Sequence, residues 1–599
     1  MLTSIMIAVD FGTTYSGLAF SDPSQRTDAA IPITDWGRGV SSQKVPSEIR
    51  FDGPGNEQFK WGFQIKHGQE RHIWFKLDLD PDNSRVGKLT QLSRTLKDLF
   101  VSPPEYQRTT EDIVAAYLTG LRRHAVAHLE KLYGSAVMKD CQLDWIITVP
   151  AVWSDLAKKK TRTAAMRAGM GDTTSLQMTS EPEAAAVYAL KALDPHHIKV
   201  GESVVICDAG GGTVDLITYK MKSVDYPYEV EETAIGGGSQ CGSTFLNRKF
   251  EEVLMRKLND KPISKNAKAM FTDPYASQAM SHFEKETKRN FGTEDDDEDE
   301  EDIEFQIPIP GVEDDASVGI CAGFLEMTYA EMKDVFRPVI EEVLALLNDQ
   351  IKAASKHGPI SAVILVGGFG ESTYLYRQIK QAVSPIPVLQ PPNGWTAIVR
   401  GAVMKGKSQL SATPSWNVKS RYCRGNYGLV LWVPWKEGMP TDKKVWDKYE
   451  GLYKHSECMQ WCIRRGDKVQ ENTPKSFPLY RAVPLDDSLV FSSSIYYSPL
   501  DGSNAPVYLN QDCREHCVLN YNLSSIPRSK FKRRVGDHGE DYYEVEYSID
   551  ITYYSAEMKF DLGRNTEASR RSGSSSNYSS DRKIDTSTPY TKTTSTIDK

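Results

Sequence analysis

Val204-Val-Ile-Cys-Asp-Ala-Gly-Gly-Gly-Thr-Val-Asp-Leu-Ile-Thr218 repeats the chemistry of Ile5-Met-Ile-Ala-Val-Asp-Phe-Gly-Thr-Thr-Tyr-Ser-Gly-Leu18. Each stretch is an apolar run that ends in aspartate, passes through a Gly/Thr turn and resumes as a second strand-like run. Asp10 and Asp208 therefore hold the same place in two related units. Two strand ends that each offer a carboxylate, glycine N–H groups and threonine hydroxyls suit a metal–triphosphate held between two lobes.

Gly12 allows a tight turn close to an anion, and Thr13, Thr14 and Tyr15 add hydroxyl donors. In the second copy Gly210, Gly211 and Gly212 precede Thr213, between β-rich runs that otherwise disfavour glycine. Taken alone, the first stretch reads equally well as a hairpin with glycine in its turn; the second copy argues against that. Asp10 and Asp208 are expected to hold magnesium through water, because magnesium dehydrates reluctantly. A third element, Ala362-Val-Ile-Leu-Val-Gly-Gly-Phe-Gly370, leads from a strand through Gly367 and Gly368 into a helix near Ser372. That turn suits a flat ring or an anion. No Gly-x-x-x-x-Gly-Lys-Ser/Thr and no strand-linked Gly-x-Gly-x-x-Gly occurs, which excludes a P-loop and disfavours a Rossmann dinucleotide site.

Further out, the 599 residues exceed one hydrophobic core and predict about three or more domains. Residues 1 to about 408 alternate strands and helices, an α/β pattern. A helix is expected near 154–170, capped at Ser154, and another from Glu181-Pro-Glu183, with proline in the tolerated first turn. From 413 to about 562 the chain turns aromatic and alternating; in Glu544–Tyr553 the apolar residues fall at 545, 547, 549, 551 and 553, the period of a half-buried strand. The nine carboxylates of 294–302 predict a solvated insertion, and the Ser/Thr-rich residues from about 563 to 599 a disordered tail.

A net charge of -8 gives no basic footprint for nucleic acid, and no run approaches the roughly 18 apolar residues of a membrane span. The start of the chain reads as a first strand, not a signal peptide. Nine cysteines at scattered spacings fit a reducing cytoplasm. The pairs Cys458/Cys462 and Cys513/Cys517, with His455 and His516 nearby, would suit zinc or remain free thiols.

The three glycine elements, in this order, resemble the two phosphate motifs and the adenosine motif of the actin, sugar kinase and 70-kDa heat-shock ATPase superfamily. Val9-Asp-Phe-Gly-Thr-Thr-Tyr-Ser16, Thr148-Val-Pro-Ala151 and Ser180-Glu-Pro-Glu-Ala-Ala-Ala186 resemble its heat-shock branch. The C-terminal region carries no acidic-leucine linker and is similar to the divergent "family member 12" type, found in fungi as well as animals. The resemblance implies a two-lobed, actin-like (ribonuclease H-like) α/β ATPase with duplicated subdomains. Lobe I would span 1–200 and lobe II 201–408, followed by a β-rich domain at 413–562.

It implies ATP or ADP with magnesium in the cleft. By resemblance, Lys66 orients the attacking water and Glu181 joins the magnesium–water network. Pro150 is a switch between nucleotide state and the rest of the molecule. Gly236, Gly237 and Gly238 form a nucleotide-contacting turn, and Gly367 and Gly368 lie near ribose and base. The base-clamping helix is Phe283–Arg289, with Lys285 and Lys288 as nucleotide contacts, although its Glu–Lys spacing departs from the family's. Phe369 and Glu371 stand where a base-stacking cation is usual, and Trp395 where an acidic residue is expected. The implied activity is that of an ATP-hydrolysing, chaperone-like protein with client or regulatory partners. The alternatives are a nucleotide-dependent scaffold and a small-molecule kinase of the same superfamily.

Overall fold

A computed structural model describes residues 4–22, 29–53, 58–66, 69–80, 108–194, 197–225, 227–258, 278–292, 303–412 and 414–563. The acidic run and the C-terminal tail lie outside the described residues. Among the described residues no helix is long and apolar enough to cross a membrane.

The first sheet runs Ala30–Pro32, Tyr15–Ser21, Ser4–Asp10, Gln142–Val149, Gln177–Ser180. Its first two pairings are antiparallel and its last two parallel. The second sheet runs Tyr228–Glu232, Val214–Ser223, Ser203–Ala209, Ile360–Val366, Val388–Leu389, with the same sequence of directions. The repeat seen in the sequence is thus a repeat of topology, and Asp10 and Asp208 sit at corresponding strand ends.

These central strands are apolar on both faces because both faces are covered. Ile5, Ile7 and Val9 pack with the helices Thr110–Tyr133 and Asp155–Arg167. Ser154 caps the second of these by accepting the Ala157 N–H at 3.2 Å. Met6 and Ala8 face inward, and so do Val204 and Ile206 of the second sheet. Between them lie the Ala-rich helix Glu181–Ala192 and the helix Ala397–Leu410. The two helices cross so closely that a Cβ on Gly401 would stand 1.7 Å from the Ala184 carbonyl. The outer face of the second sheet is covered by Thr244–Leu258, Tyr329–Ala354 and Thr373–Ala382.

Beyond residue 419 the described residues form a small antiparallel pair, Ser420–Tyr422 with Lys468–Gln470, and two larger antiparallel sheets. One runs Lys444–Asp447, Leu452–Ile463, Asn426–Pro434, Val490–Ser498, Arg514–Asn522; the other is built around Asp541–Tyr553. Their inner faces share one core, including Leu429, Ile463, Ile495, Val545, Ile549 and Ile551. Of the alternating apolar residues, Val545, Tyr547, Ile549 and Ile551 are buried in this strand, although Ser548 and Thr552 on its other face are buried too. The expected boundary at 413 needs one correction. Trp416–Val418 joins the second sheet as a parallel edge strand beside Tyr228–Glu232, so the β-rich part begins after it.

Side chains tie that β-rich part to the rest. Arg421, 2% exposed, donates to Glu183 at 2.8 Å, Glu232 at 3.1 Å and Glu471 at 2.9 Å. Glu183 also accepts from Lys405, from Ser555 and, at 3.2 Å, from the Trp416 indole. Tyr427 donates to Asp155 at 2.5 Å, and Arg424 to the Ala151 carbonyl.

Candidate functional site

The two Gly/Thr turns meet across a cleft. A Cβ on Gly212 would lie 2.2 Å from the Thr13 hydroxyl, and one on Gly211 would lie 2.3 Å from that of Thr14. Glycine is required at these two positions because the second turn fits against the threonines of the first. The carbonyls of Gly210, Gly211 and Gly212 accept from the N–H groups of Ser243, Thr244 and Gly242 at 3.1, 2.9 and 3.2 Å. In a trans peptide the N–H opposes the C=O, so the N–H groups that follow these carbonyls point to the other side. The result is an anion cradle.

Four carboxylates gather beside it. Asp10 is paired with Lys44 at 2.6 Å and Glu181 with Lys76 at 2.6 Å, all of them buried. Asp215 faces Asp208 across the hairpin and accepts the Val152 N–H at 3.1 Å. Asp208 Oδ1 and Asp215 Oδ2 are buried without a partner. Burial, and then the charges of Glu181, Asp215 and Asp10, push the Asp208 carboxyl well above the ordinary carboxylate value. An orphaned, acid-rich pocket of this kind fits a cation. Among the described residues no three His, Cys, Asp or Glu side chains converge to ligate a metal directly. The donor set therefore suits a hydrated ion held by Asp10 and Asp208 through water. The C-terminal cysteine pairs form no such group either, and all nine cysteines are free thiols.

Burial also lifts the Glu181 carboxyl from 4.5 to about 7, outweighing the opposing pull of Lys76; Asp215 and Asp10 push in the same direction as burial. The folded chain then holds this proton more tightly than the unfolded chain. Its stabilising effect is complete below about pH 4.5 and is lost as pH rises to about 7. The melting temperature of the nucleotide-free protein is therefore expected to fall from about pH 5 to about pH 7. A thermal scan of Glu181→Gln should show a distinctly shallower fall; an identical slope would exclude Glu181 as its source.

Apolar residues also line the cleft. Phe369, Trp395 and Ile398 line it, with Gly367, Gly368, Glu371 and Ser372. Gly367 takes a left-handed φ of 88°, where a Cβ would meet Asp208 Oδ1 at 2.7 Å. Glu284, Lys288 and Arg289 line the same cleft. Glu284 lies in a π-helical turn, Phe283–Thr287, and Lys288, just after that turn, donates to Glu284 four positions back.

Of the residues expected from the sequence, Asp10, Gly12, Thr13, Thr14, Tyr15, Glu181, Asp208, Gly210, Gly211, Gly212, Thr213, Lys288, Gly367 and Gly368 line this one cleft. Three expectations are corrected. Lys66 is exposed outside the cleft, following a turn that begins at Gly62; Lys76 occupies the cleft instead. Its signal was a lysine enclosed by Phe75 and Leu77, whereas Lys66 has an apolar neighbour, Ile65, on one side only. Lys285 is exposed and does not line the cleft, whereas Lys288 and Arg289 do. Gly236, Gly237 and Gly238 lie outside the cleft; Gly237 and Gly238 pair with the strand Val214–Ser223, and Ser243 takes the place expected of them at the cradle. Lys44, Ser243, Glu284 and Arg289 were not singled out by the sequence.

Comparison with known proteins agrees with this geometry. Residues 88–409, more than half of the chain, match the family model described as Hsp70 protein. Heat shock 70 kDa protein 12A of Homo sapiens is 23% identical over 597 residues, covering 86% of this chain and 82% of that protein. Heat shock 70 kDa protein 12B of Homo sapiens is 23% identical over 490 residues, covering 68% and 69%. A duplicated Asp–Gly/Thr cradle, the family match and the extent of these alignments lead to one conclusion: the chain is a divergent member of the Hsp70 family, which implies the actin-like ATPase fold and supports ATP binding.

Proposed function

We propose that this protein binds ATP and ADP with magnesium between a lobe of residues 1–200 and a lobe of residues 201–408, and hydrolyses ATP to ADP and phosphate. The observation that carries this reading is the pair of interlocked Gly/Thr turns beside the partnerless Asp208 carboxylate oxygen. Magnesium, held through water by Asp10 and Asp208, would neutralise phosphate charge as it shifts. Thr13, Thr14, Thr213 and the glycine N–H groups of both turns grip the phosphates. Lys76, fixed by Glu181 at 2.6 Å, directs its ammonium to the terminal phosphate and the attacking water. Positioning and electrostatics supply the rate, as in phosphoryl transfer generally.

The output proposed is chaperone-like. Lobe closure would reach the β-rich part through the Ala-rich helix, whose first turn carries Glu181 in the cleft and Glu183 in the Arg421 cluster. Client or regulatory proteins would engage there. Nine free thiols support a reducing compartment such as the cytoplasm.

Phosphate release from ATP by the purified chain, without an added acceptor, tests the reading. Lys76→Ala is expected to slow single-turnover hydrolysis about tenfold or more, a barrier increase of about 1.4 kcal/mol. Lys66→Ala should leave the rate unchanged. Magnesium-dependent ATP binding with no phosphate release would favour the nucleotide-dependent scaffold, and release only with a small-molecule acceptor a kinase.

A further inference from the structure

The cleft has two chemical ends. Around Asp208 it is charged, glycine-lined and rich in hydroxyls; around Trp395 it is aromatic. Trp395 lies on a short turn, Gly394–Thr396, that is locked to the strand-end glycines. Its own N–H donates to Glu371 Oε1 at 3.0 Å, and the Gly367 N–H donates to the Gly394 carbonyl at 3.3 Å. Gln390 donates to the Gly370 carbonyl at 2.7 Å. Asn393, in the left-handed region with φ 57°, sets the turn. The indole is therefore held on a rigid support.

Its ring spans the cleft wall. A Cβ on Gly368 would stand 3.2 Å from the indole Nε1, so the glycine leaves the room that the ring uses. On the other side the indole meets Tyr15 edge-on, with centroids 5.7 Å apart and planes at 76°. Tyr15 belongs to the first Gly/Thr turn. Chiefly because it is buried, and next because of Glu284, its hydroxyl is pushed up to about 12 and stays protonated. Trp395 thus joins the phosphate turn of one sheet to the glycine turn of the other, and Phe369 and Ile398 line the same cleft.

We propose that Trp395 is the specificity-determining residue for the nucleoside portion of the ligand. Its indole is the face against which the base stacks, while the phosphates are held independently of it. This rests on the nucleotide-binding reading above. Stacking on an aromatic ring tolerates any base, so the residue separates nucleotides from inorganic polyphosphates more than one base from another.

Titration calorimetry with Mg·ADP and with Mg·pyrophosphate separates the two ends. Trp395→Ala is expected to weaken ADP about tenfold or more, in line with base–aromatic stacking, and to leave pyrophosphate within about twofold. Trp395→Phe should keep most of the ADP affinity but lose the change in tryptophan emission that ADP causes in the parent. ADP binding unchanged in Trp395→Ala, or an emission change retained in Trp395→Phe, overturns the assignment and leaves the cleft reading intact. Equal weakening of ADP and pyrophosphate also overturns it, because the ring would then only prop the turn. Failure of the parent protein to bind either ligand overturns the nucleotide reading beneath it.

Discussion

Arg421→Ala is expected to remove about 3 to 5 kcal/mol of folding stability, the usual result of leaving buried charges unpaired. The guanidinium serves three carboxylates at once, Glu183, Glu232 and Glu471, at 2.8 to 3.1 Å. Lys405 would still face Glu183, and the Tyr422 N–H would still reach Glu232 at 2.9 Å, but Glu471 would lose both of its bonds to Arg421. Burial already raises the Glu471 carboxyl above its ordinary value, so it would take up a proton. The damage should therefore be smaller at about pH 5 than at about pH 7.5, which a loss of packing alone would not produce. Because the cluster joins the β-rich part to the Ala-rich helix, the first urea transition should report the change in both. A shift worth less than about 1 kcal/mol would mean that water reaches the cluster and solvates its charges.

Asp208→Asn is expected to act in opposite directions on binding and on stability. The buried oxygen without a partner and the neighbouring Asp10, Glu181 and Asp215 make the native carboxylate unfavourable in the nucleotide-free protein. Neutralising it should raise the melting temperature of that form, a stability–function trade-off. It should weaken Mg·ADP by about a hundredfold, near 2.7 kcal/mol, and combination with Asp10→Asn should abolish the dependence of ADP affinity on magnesium. Calorimetry with and without a chelator measures the second effect, and thermal melting the first. Unchanged magnesium dependence in the double variant would exclude these two carboxylates as the cation's holders.

Much of this was legible in the chain itself. Apolar runs ending in Asp10 and Asp208, each followed by a Gly/Thr turn, are local patterns, and local patterns determine strands, turns and strand ends. The same is true of the Ser154 cap and of the alternating residues 545–551, which became buried on one side of a strand. The duplication, the α/β body and the β-rich C-terminal part followed from sequence alone.

The tertiary structure decided which groups meet. Lys66 and Lys76 stand only ten positions apart, and nothing in their spacing says which one the turn at Gly62 sends to solvent. Lys288 and Arg289 line the cleft and Lys285 does not, beside a π-turn whose hydrogen bonds no side-chain period reveals. The strand Trp416–Val418 and the Arg421 cluster rest on partners nearly 190 and 240 residues away. Periodicity records how each residue faces its own element; the long-range packing of buried charge, which sets the cleft's electrostatics and seals the β-rich part to the body, exists only once those elements are brought together.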